Sequence, residues 1–297
     1  MNIENISGVW TALVTPMNED GSVDYKSLEA LVEQQIAGGV DGIVAVGTTG
    51  ESPTLTPREH IDVIAKIHKF AAGRIPILAG TGSNSTAETV DMTRECDELG
   101  LYGFLIVAPY YNKPTQEGVF LHFSEVAKIT EKPIVLYSIP GRCGIAIEND
   151  TALRLREAYP NFIAIKEAGG KVEKVADMYA RANGKMNILS GDDGLTLDFM
   201  KAGASGVVSV ASNIIPEAMV EMVKTARDGK WQEAQAMNEK FHALFKNLFI
   251  EPNPVPAKFA LAKAGFIANS KVRLPLCEMT KQHKQILMQD LQDLNII

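Results

Sequence analysis

An apolar run that ends in a lysine is the first feature with chemical potential: Phe162-Ile163-Ala164-Ile165 is followed by Lys166-Glu167-Ala168. Read as a buried strand, the run delivers the lysine side chain to the edge of an apolar interior. Burial disfavours the ammonium, so the amine gives up its proton more readily than a free pKa of about 10.4 implies. A neutral amine is what attacks a ketone to form a Schiff base. Groups suited to the same chemistry stand at the ends of other apolar runs. Tyr137 offers a phenol that can shuttle protons during imine formation. Thr48-Thr49 lies between Gly47 and Gly50, where backbone N–H groups can approach an anion while the hydroxyls donate to its carboxylate. Arg142, within Pro140-Gly141-Arg142-Cys143-Gly144, suits bidentate capture of a substrate carboxylate. Tyr110 and Tyr111 are adjacent, so in extended backbone they point opposite ways, one to its own site and one to an interface.

Other chemistries find no support. His60, His68, His122, His242 and His283 show no metal-ligand spacing, and a metal-dependent aldolase is not expected. The GxxxxGK[ST] spacing is absent, and Gly80-Thr81-Gly82 lacks the third glycine of a dinucleotide fingerprint. Asp192-Asp193 is expected to repel phosphate where many barrels bind it, which disfavours a phosphorylated sugar.

The elements that must position these groups alternate along the chain. Apolar runs at 9–15, 42–46, 76–80, 103–107, 133–138, 162–166, 186–190 and 206–210 read as strands. Amphipathic stretches at 24–37, 57–71, 86–99, 117–130, 149–158, 172–181 and 195–201 read as the helices between them. Thr56-Pro57-Arg58-Glu59 has the form of a capping box with proline at the first helical position, and Ser85-Thr86-Ala87-Glu88 reads as a second box. Gly39-Val40-Asp41-Gly42, Gly100-Leu101-Tyr102-Gly103 and Gly203-Ala204-Ser205-Gly206 form a faint repeat that ends a helix and opens a strand. Strict alternation forces parallel strands, and eight such units predict a (β/α)8 TIM barrel with its site at the C-terminal strand ends. After Pro216 the pattern becomes helical, at 216–228, 231–248, 255–264 and 280–294. The expected organisation is a catalytic barrel over 1–224 and a C-terminal helical extension over 225–297 packed on it.

At 297 residues and 46% apolar composition the chain can bury a full core, and the length suits an α/β barrel. A net charge of −7 without a basic cluster argues against nucleic acid as partner. Three distant cysteines, Cys96, Cys143 and Cys277, without zinc spacing suit a reducing cytoplasm. No apolar run reaches the roughly 18 residues of a membrane span, and no leader-like segment opens the chain.

Gly47-Thr48-Thr49-Gly50-Glu51, Pro109-Tyr110-Tyr111-Asn112, Tyr137 through Gly144, Ile165-Lys166-Glu167-Ala168 and Glu251-Pro252-Asn253-Pro254 together resemble the dihydrodipicolinate synthase group. This group belongs to the pyruvate-dependent aldolases that include N-acetylneuraminate lyase. The resemblance runs in order along nearly the whole chain. It implies that Lys166 forms the imine with pyruvate and that Tyr137 donates and accepts protons. Thr48 and Tyr111 complete the relay, Tyr111 reaching in from a neighbouring subunit. Thr49 and the backbone at Val208 hold pyruvate, and Arg142 receives the carboxylate of L-aspartate-4-semialdehyde. No separate cofactor is implied beyond the covalent imine, and the implied assembly is a tetramer of two tight dimers. Ser52, Pro53, His60, Gly82, Asn84, Glu88 and Tyr110 match an L-lysine inhibitor site. Two departures stand near Arg142: Ser138 replaces the usual asparagine and Cys143 the usual threonine. Pro57 replaces a histidine found in some lysine-sensitive members. The competing readings are a lyase for sialic acid or a keto-deoxy sugar acid, against which Arg142 argues, and a catalytically silent ligand sensor.

Overall fold

The eight expected strands are short and buried on both faces, and they close on one another in sequence order. In the computed structural model, which describes residues 6–297, they are β1 (Gly8–Ala12), β2 (Gly42–Ala45), β3 (Ile77–Gly80), β4 (Gly103–Val107), β5 (Ile134–Ser138), β6 (Phe162–Glu167), β7 (Asn187–Ser190) and β8 (Gly206–Ser209). Every pair is parallel, and β8 returns to β1, so no sheet edge remains. The helix after each strand wraps the outside: Tyr25–Ala37, Pro57–Ala71, Thr86–Asp97, Gln116–Ala127, Asn149–Ala158, Val172–Ala182, Thr196–Lys201 and Pro216–Arg227. Helices Trp231–Asn247, Val255–Lys263 and Lys281–Asp293 follow.

Two separate apolar layers result. Trp10, Val44, Leu78, Leu105, Val135, Ala164, Leu189 and Val208, one from each strand, meet inside the barrel. The interior is therefore filled with side chains, and a ligand can enter only at the rim. Outward residues such as Val9, Ile43, Ile106 and Ile165 belong to the second layer, between strands and helices. That layer extends into the C-terminal helices through Leu244, Phe245, Leu261 and Leu287.

The helix that will matter at the rim, Pro57–Ala71, shows how local sequence sets the frame. Thr56 Oγ1 accepts from the Glu59 N–H while the Glu59 carboxylate accepts from the Thr56 N–H, a complete capping box. Its buried stripe, His60, Val63, Ile64, Ile67 and Ala71, follows helical spacing. Each large aliphatic residue in it contributes roughly 1.5–3 kcal/mol by leaving water.

Two sequence expectations change in detail. The first strand stops at Ala12 rather than residue 15, because Val14 N–H is diverted to the Asn213 side chain, 3.1 Å away, at the end of β8. Ser85 caps its helix by accepting from the Glu88 N–H, but the Glu88 carboxylate accepts from Ser83 Oγ, so the reciprocal half of the second box is missing. The repeat glycines behave as expected: Gly39, Gly100 and Gly203 adopt φ of 73°, 75° and 110° past their helix ends. Among the described residues no helix is long and apolar enough to cross a membrane.

Candidate active site

The sixth strand places Lys166 on the inward side at the rim. Outward Ile165 anchors the strand in the outer layer, and the alternation turns Lys166 toward the interior beside Ala164. In the ladder Lys166 stands between Tyr137 of β5 and Leu189 of β7. Its Nζ lies 4.2 Å from the centroid of the Tyr137 ring. Only 5% of the residue is exposed. Burial pulls the amine down to about 7; the Asp193 carboxylate resists that fall and the Arg142 guanidinium adds to it. Half the amine is therefore neutral near pH 7.

Tyr137 is buried as well, which pushes its phenol up to about 12, while a hydrogen bond with Thr48 opposes the rise. The phenol is protonated at neutral pH and is linked to a hydroxyl that can pass a proton on. The Thr48 turn owes its position to a sharp backbone change: Val46, straight after β2, takes a φ of 53°. A β-branched residue there is a genuine outlier and marks strain at the site. Thr49, 2% exposed, accepts a hydrogen bond from Asn253 Nδ2 at 2.9 Å.

Above this group lies a cavity of about 350 Å³ bordered by Thr48, Ser52, Pro53, His60, Gly82, Glu88, Tyr110, Arg142 and Cys143. A recess of about 30 Å³, shared at Thr48, leads from it toward Tyr137. Lys166 borders neither and lies behind Tyr137. Arg142 stands exposed on a single helical turn, Pro140–Cys143, which Gly144 ends at φ 76°. The sequence motif had shown the arginine but not this turn. Tyr110 faces the cavity, whereas Tyr111 is 87% exposed with φ 74° and borders none of it. Val208 sits in the inner layer on β8, beside Trp10 of β1. Asn84 is not among the lining residues; its carbonyl accepts from Asn112 Nδ2. A second hollow, about 670 Å³, lies on the C-terminal helices near Lys263, Lys284 and Met288. It brings no nucleophile and acid–base pair together, so the smaller cavity is the site.

His60 has a defined protonation pattern. Its Nε2 donates to Gly80 O at 2.7 Å, since a carbonyl can only accept. Burial lowers its pKa, leaving the ring neutral with Nδ1 as an acceptor. A ligand at His60 would thus meet an acceptor rather than the donor that capture of a carboxylate needs.

Sequence reasoning missed the role of Asp193 and the presence of Lys258. Asp193 does not face a phosphate site: its Oδ2 accepts from Val210 N and Ala211 N at 3.0 and 2.9 Å, tying the seventh loop to the end of β8. Its Oδ1, also buried, accepts no hydrogen bond among the described residues. Asp192 serves its own turn, accepting from Gly194 N. Lys258 is fully buried and donates to Glu51 Oε1 at 2.6 Å. A lysine inside the apolar helix Val255–Lys263 was the available signal. Ser138, one of the two departures, points outward, where its hydroxyl accepts from Ile147 N and Lys174 Nζ. Cys143 does border the cavity, with its thiol directed to Ala108 O. Among the described residues no cluster of three or more His, Cys, Asp or Glu is placed to hold a metal.

Fold and site together define a (β/α)8 barrel with a desolvated lysine at its mouth, the arrangement of a lysine-dependent aldolase. Residues 5–294 match the profile of the Dihydrodipicolinate synthetase family, and the chain belongs to that family. The 4-hydroxy-tetrahydrodipicolinate synthase of Persephonella marina is 45% identical over 290 residues, 98% of this chain and 99% of the relative. Among solved structures, the chloride-inhibited dihydrodipicolinate synthase of Acinetobacter baumannii complexed with pyruvate superposes with a TM-score of 0.96. It is 46% identical and covers 99% of this chain and 100% of its own. The enzyme of Cyanidioschyzon merolae with lysine bound has a TM-score of 0.95 at 39% identity, covering 98% and 99%.

Proposed function

We infer that this chain is a lyase that condenses pyruvate with L-aspartate-4-semialdehyde to give 4-hydroxy-tetrahydrodipicolinate, in lysine and diaminopimelate biosynthesis. The observation that carries the mechanism is the packing of the buried Lys166 amine on Tyr137, whose phenol is bonded to Thr48 at a mouth guarded by Arg142. Neutral Lys166 attacks the keto carbon of pyruvate, and loss of water leaves the imine. Tyr137 and Thr48 move the protons of these steps, Tyr111 of a neighbouring subunit completing the relay. Removal of a methyl proton gives the enamine, whose carbon bonds to the aldehyde carbon of the semialdehyde. The substrate amine then attacks the imine carbon, closing the ring and releasing Lys166. Thr49 and the backbone at Val208 hold the pyruvate carboxylate, and Arg142 holds that of the semialdehyde. Covalent capture at Lys166 serves in place of a separate cofactor.

Residues 1–224 act as the catalytic barrel and 225–297 as the helical extension. The exposed Tyr111, which borders none of its own chain's cavity, supports contact with the site of a second copy; the family resemblance carries this to a tetramer of tight dimers in the cytoplasm. Ser52, His60, Glu88 and Tyr110, joined by Asn84 on the strength of the family resemblance alone, form an L-lysine site by analogy with the lysine-bound relative. There the neutral His60 Nδ1 accepts from a ligand ammonium. A coupled assay with pyruvate and L-aspartate-4-semialdehyde tests the reaction. Turnover is expected with that pair, and cleavage of N-acetylneuraminate or a keto-deoxy sugar acid without it would overturn the assignment.

A further inference from the structure

We propose that the buried Lys258–Glu51 ion pair positions the Thr48 turn at the barrel mouth, so that the C-terminal segment sets the proton relay of the reaction inferred above, on which this role rests.

Two non-glycine residues in the left-handed region, Val46 at φ 53° and Glu51 at φ 57°, bracket Gly47-Thr48-Thr49-Gly50. Backbone of this kind persists only where its surroundings over-determine it. One restraint comes from the barrel: Thr15 Oγ1 donates to Gly50 O at 2.8 Å. Three come from residues more than 200 positions away. Asn253 Nδ2 donates to Thr49 Oγ1 at 2.9 Å, Lys258 Nζ to Glu51 Oε1 at 2.6 Å, and Arg273 N to Glu51 Oε2 at 3.1 Å. Both carboxylate oxygens of Glu51 are thus held, each by a different part of the C-terminal segment. The Glu51 N–H in turn donates to Thr48 O at 3.1 Å, which ties the fixed residue to the one whose hydroxyl meets Tyr137. The Arg273 guanidinium extends the same clamp to both oxygens of Glu59 and to Thr54 O.

The competing account is that the pair merely holds the fold. A buried ion pair is a poor stabiliser, often equalled or surpassed by apolar side chains of similar volume. If stability were its only role, an apolar pair would restore everything. Directed hydrogen bonds on a strained residue supply what apolar contact lacks, a fixed backbone orientation. A small misplacement at a reacting site can cost on the order of a hundredfold in rate.

The test compares the full chain with Lys258→Met, Glu51→Leu and the combined Glu51→Leu/Lys258→Met variant. Each single change leaves a buried charge alone and is expected to lower the thermal midpoint, and the double variant is expected to recover it. Despite that recovery, kcat of the double variant should remain about tenfold to a hundredfold below the parent, while KM for pyruvate, held through the separately anchored Thr49, moves by less than about threefold. The ring-carbon NMR resonance of Tyr137, assigned by loss in Tyr137→Phe, should also shift as the Thr48 contact loosens. Full return of kcat together with stability would overturn the proposal, as would an unmoved Tyr137 resonance in the refolded double variant. If the parent does not turn over the two substrates, the reaction assignment fails, and the resonance alone then decides the positioning role.

Discussion

Replacing Lys166 with methionine should stabilise the protein at neutral pH while abolishing its chemistry. The lysine falls from an ordinary 10.5 to about 7 in the folded chain, chiefly through burial. Between those two values the unfolded chain binds a proton that the folded chain does not, so stability rises with pH across that window. The destabilisation due to Lys166 is fully present below pH 7 and has vanished once pH passes 10.5. At 1.36 kcal/mol for each tenfold change, the pH-dependent part amounts to about 5 kcal/mol as a ceiling. Methionine has similar volume and no charge, so the variant lacks this dependence; loss of the ammonium partner for Asp193 takes back part of the gain. Urea denaturation of both proteins from pH 6 to 10, read as the difference in unfolding free energy, is the assay. The variant should be more stable by a few kcal/mol at pH 7, with the gap narrowing toward pH 10. Other titrating groups largely cancel in that difference, and the Tyr137 phenol, near 12, stays protonated throughout. A gap that does not change with pH would refute the claim that burial lowers the pKa of Lys166.

Arg142→Ala should lower kcat/KM for the semialdehyde by roughly 10- to 150-fold, the equivalent of about 1.5–3 kcal/mol for one lost charge-assisted contact, while pyruvate imine formation changes little. Steady-state kinetics against each substrate separates the two, and equal loss for both would remove Arg142 from the second-substrate site. Titration with L-lysine at fixed pyruvate should show inhibition that disappears in Glu88→Ala. Inhibition surviving that change would place the effector elsewhere, and a flat response at millimolar lysine would exclude it.

The legible part of this molecule was the part written locally. Apolar runs of strand length, glycines at helix ends and the Thr56 capping box all act within a few residues, and these features placed the eight strands and the rim motifs. Lys166 was legible because its apolar run precedes it directly. What escaped depends on contacts between distant residues. Nothing near Asn253 or Lys258 indicates that their partners are Thr49 and Glu51, 204 and 207 positions away. Asp193 was read only as a charge that repels phosphate, because charge alone gives no direction, whereas the end of β8 offers its carboxylate two backbone N–H groups. Residue 15 was expected in the first strand for a similar reason: the side chain of Asn213, which interrupts the ladder, arrives from the turn after β8, 199 positions away in sequence.

The central claim is that Lys166, rather than the other buried lysine, is the nucleophile. Lys258 is locked in an ion pair with Glu51, whereas Lys166 forms no such pair among the described residues. Borohydride reduction in the presence of pyruvate, followed by peptide mass mapping, distinguishes them directly. One stable pyruvate-derived adduct per chain is expected, on the peptide containing Lys166. Labelling at Lys258, at any other lysine, or at none would contradict it.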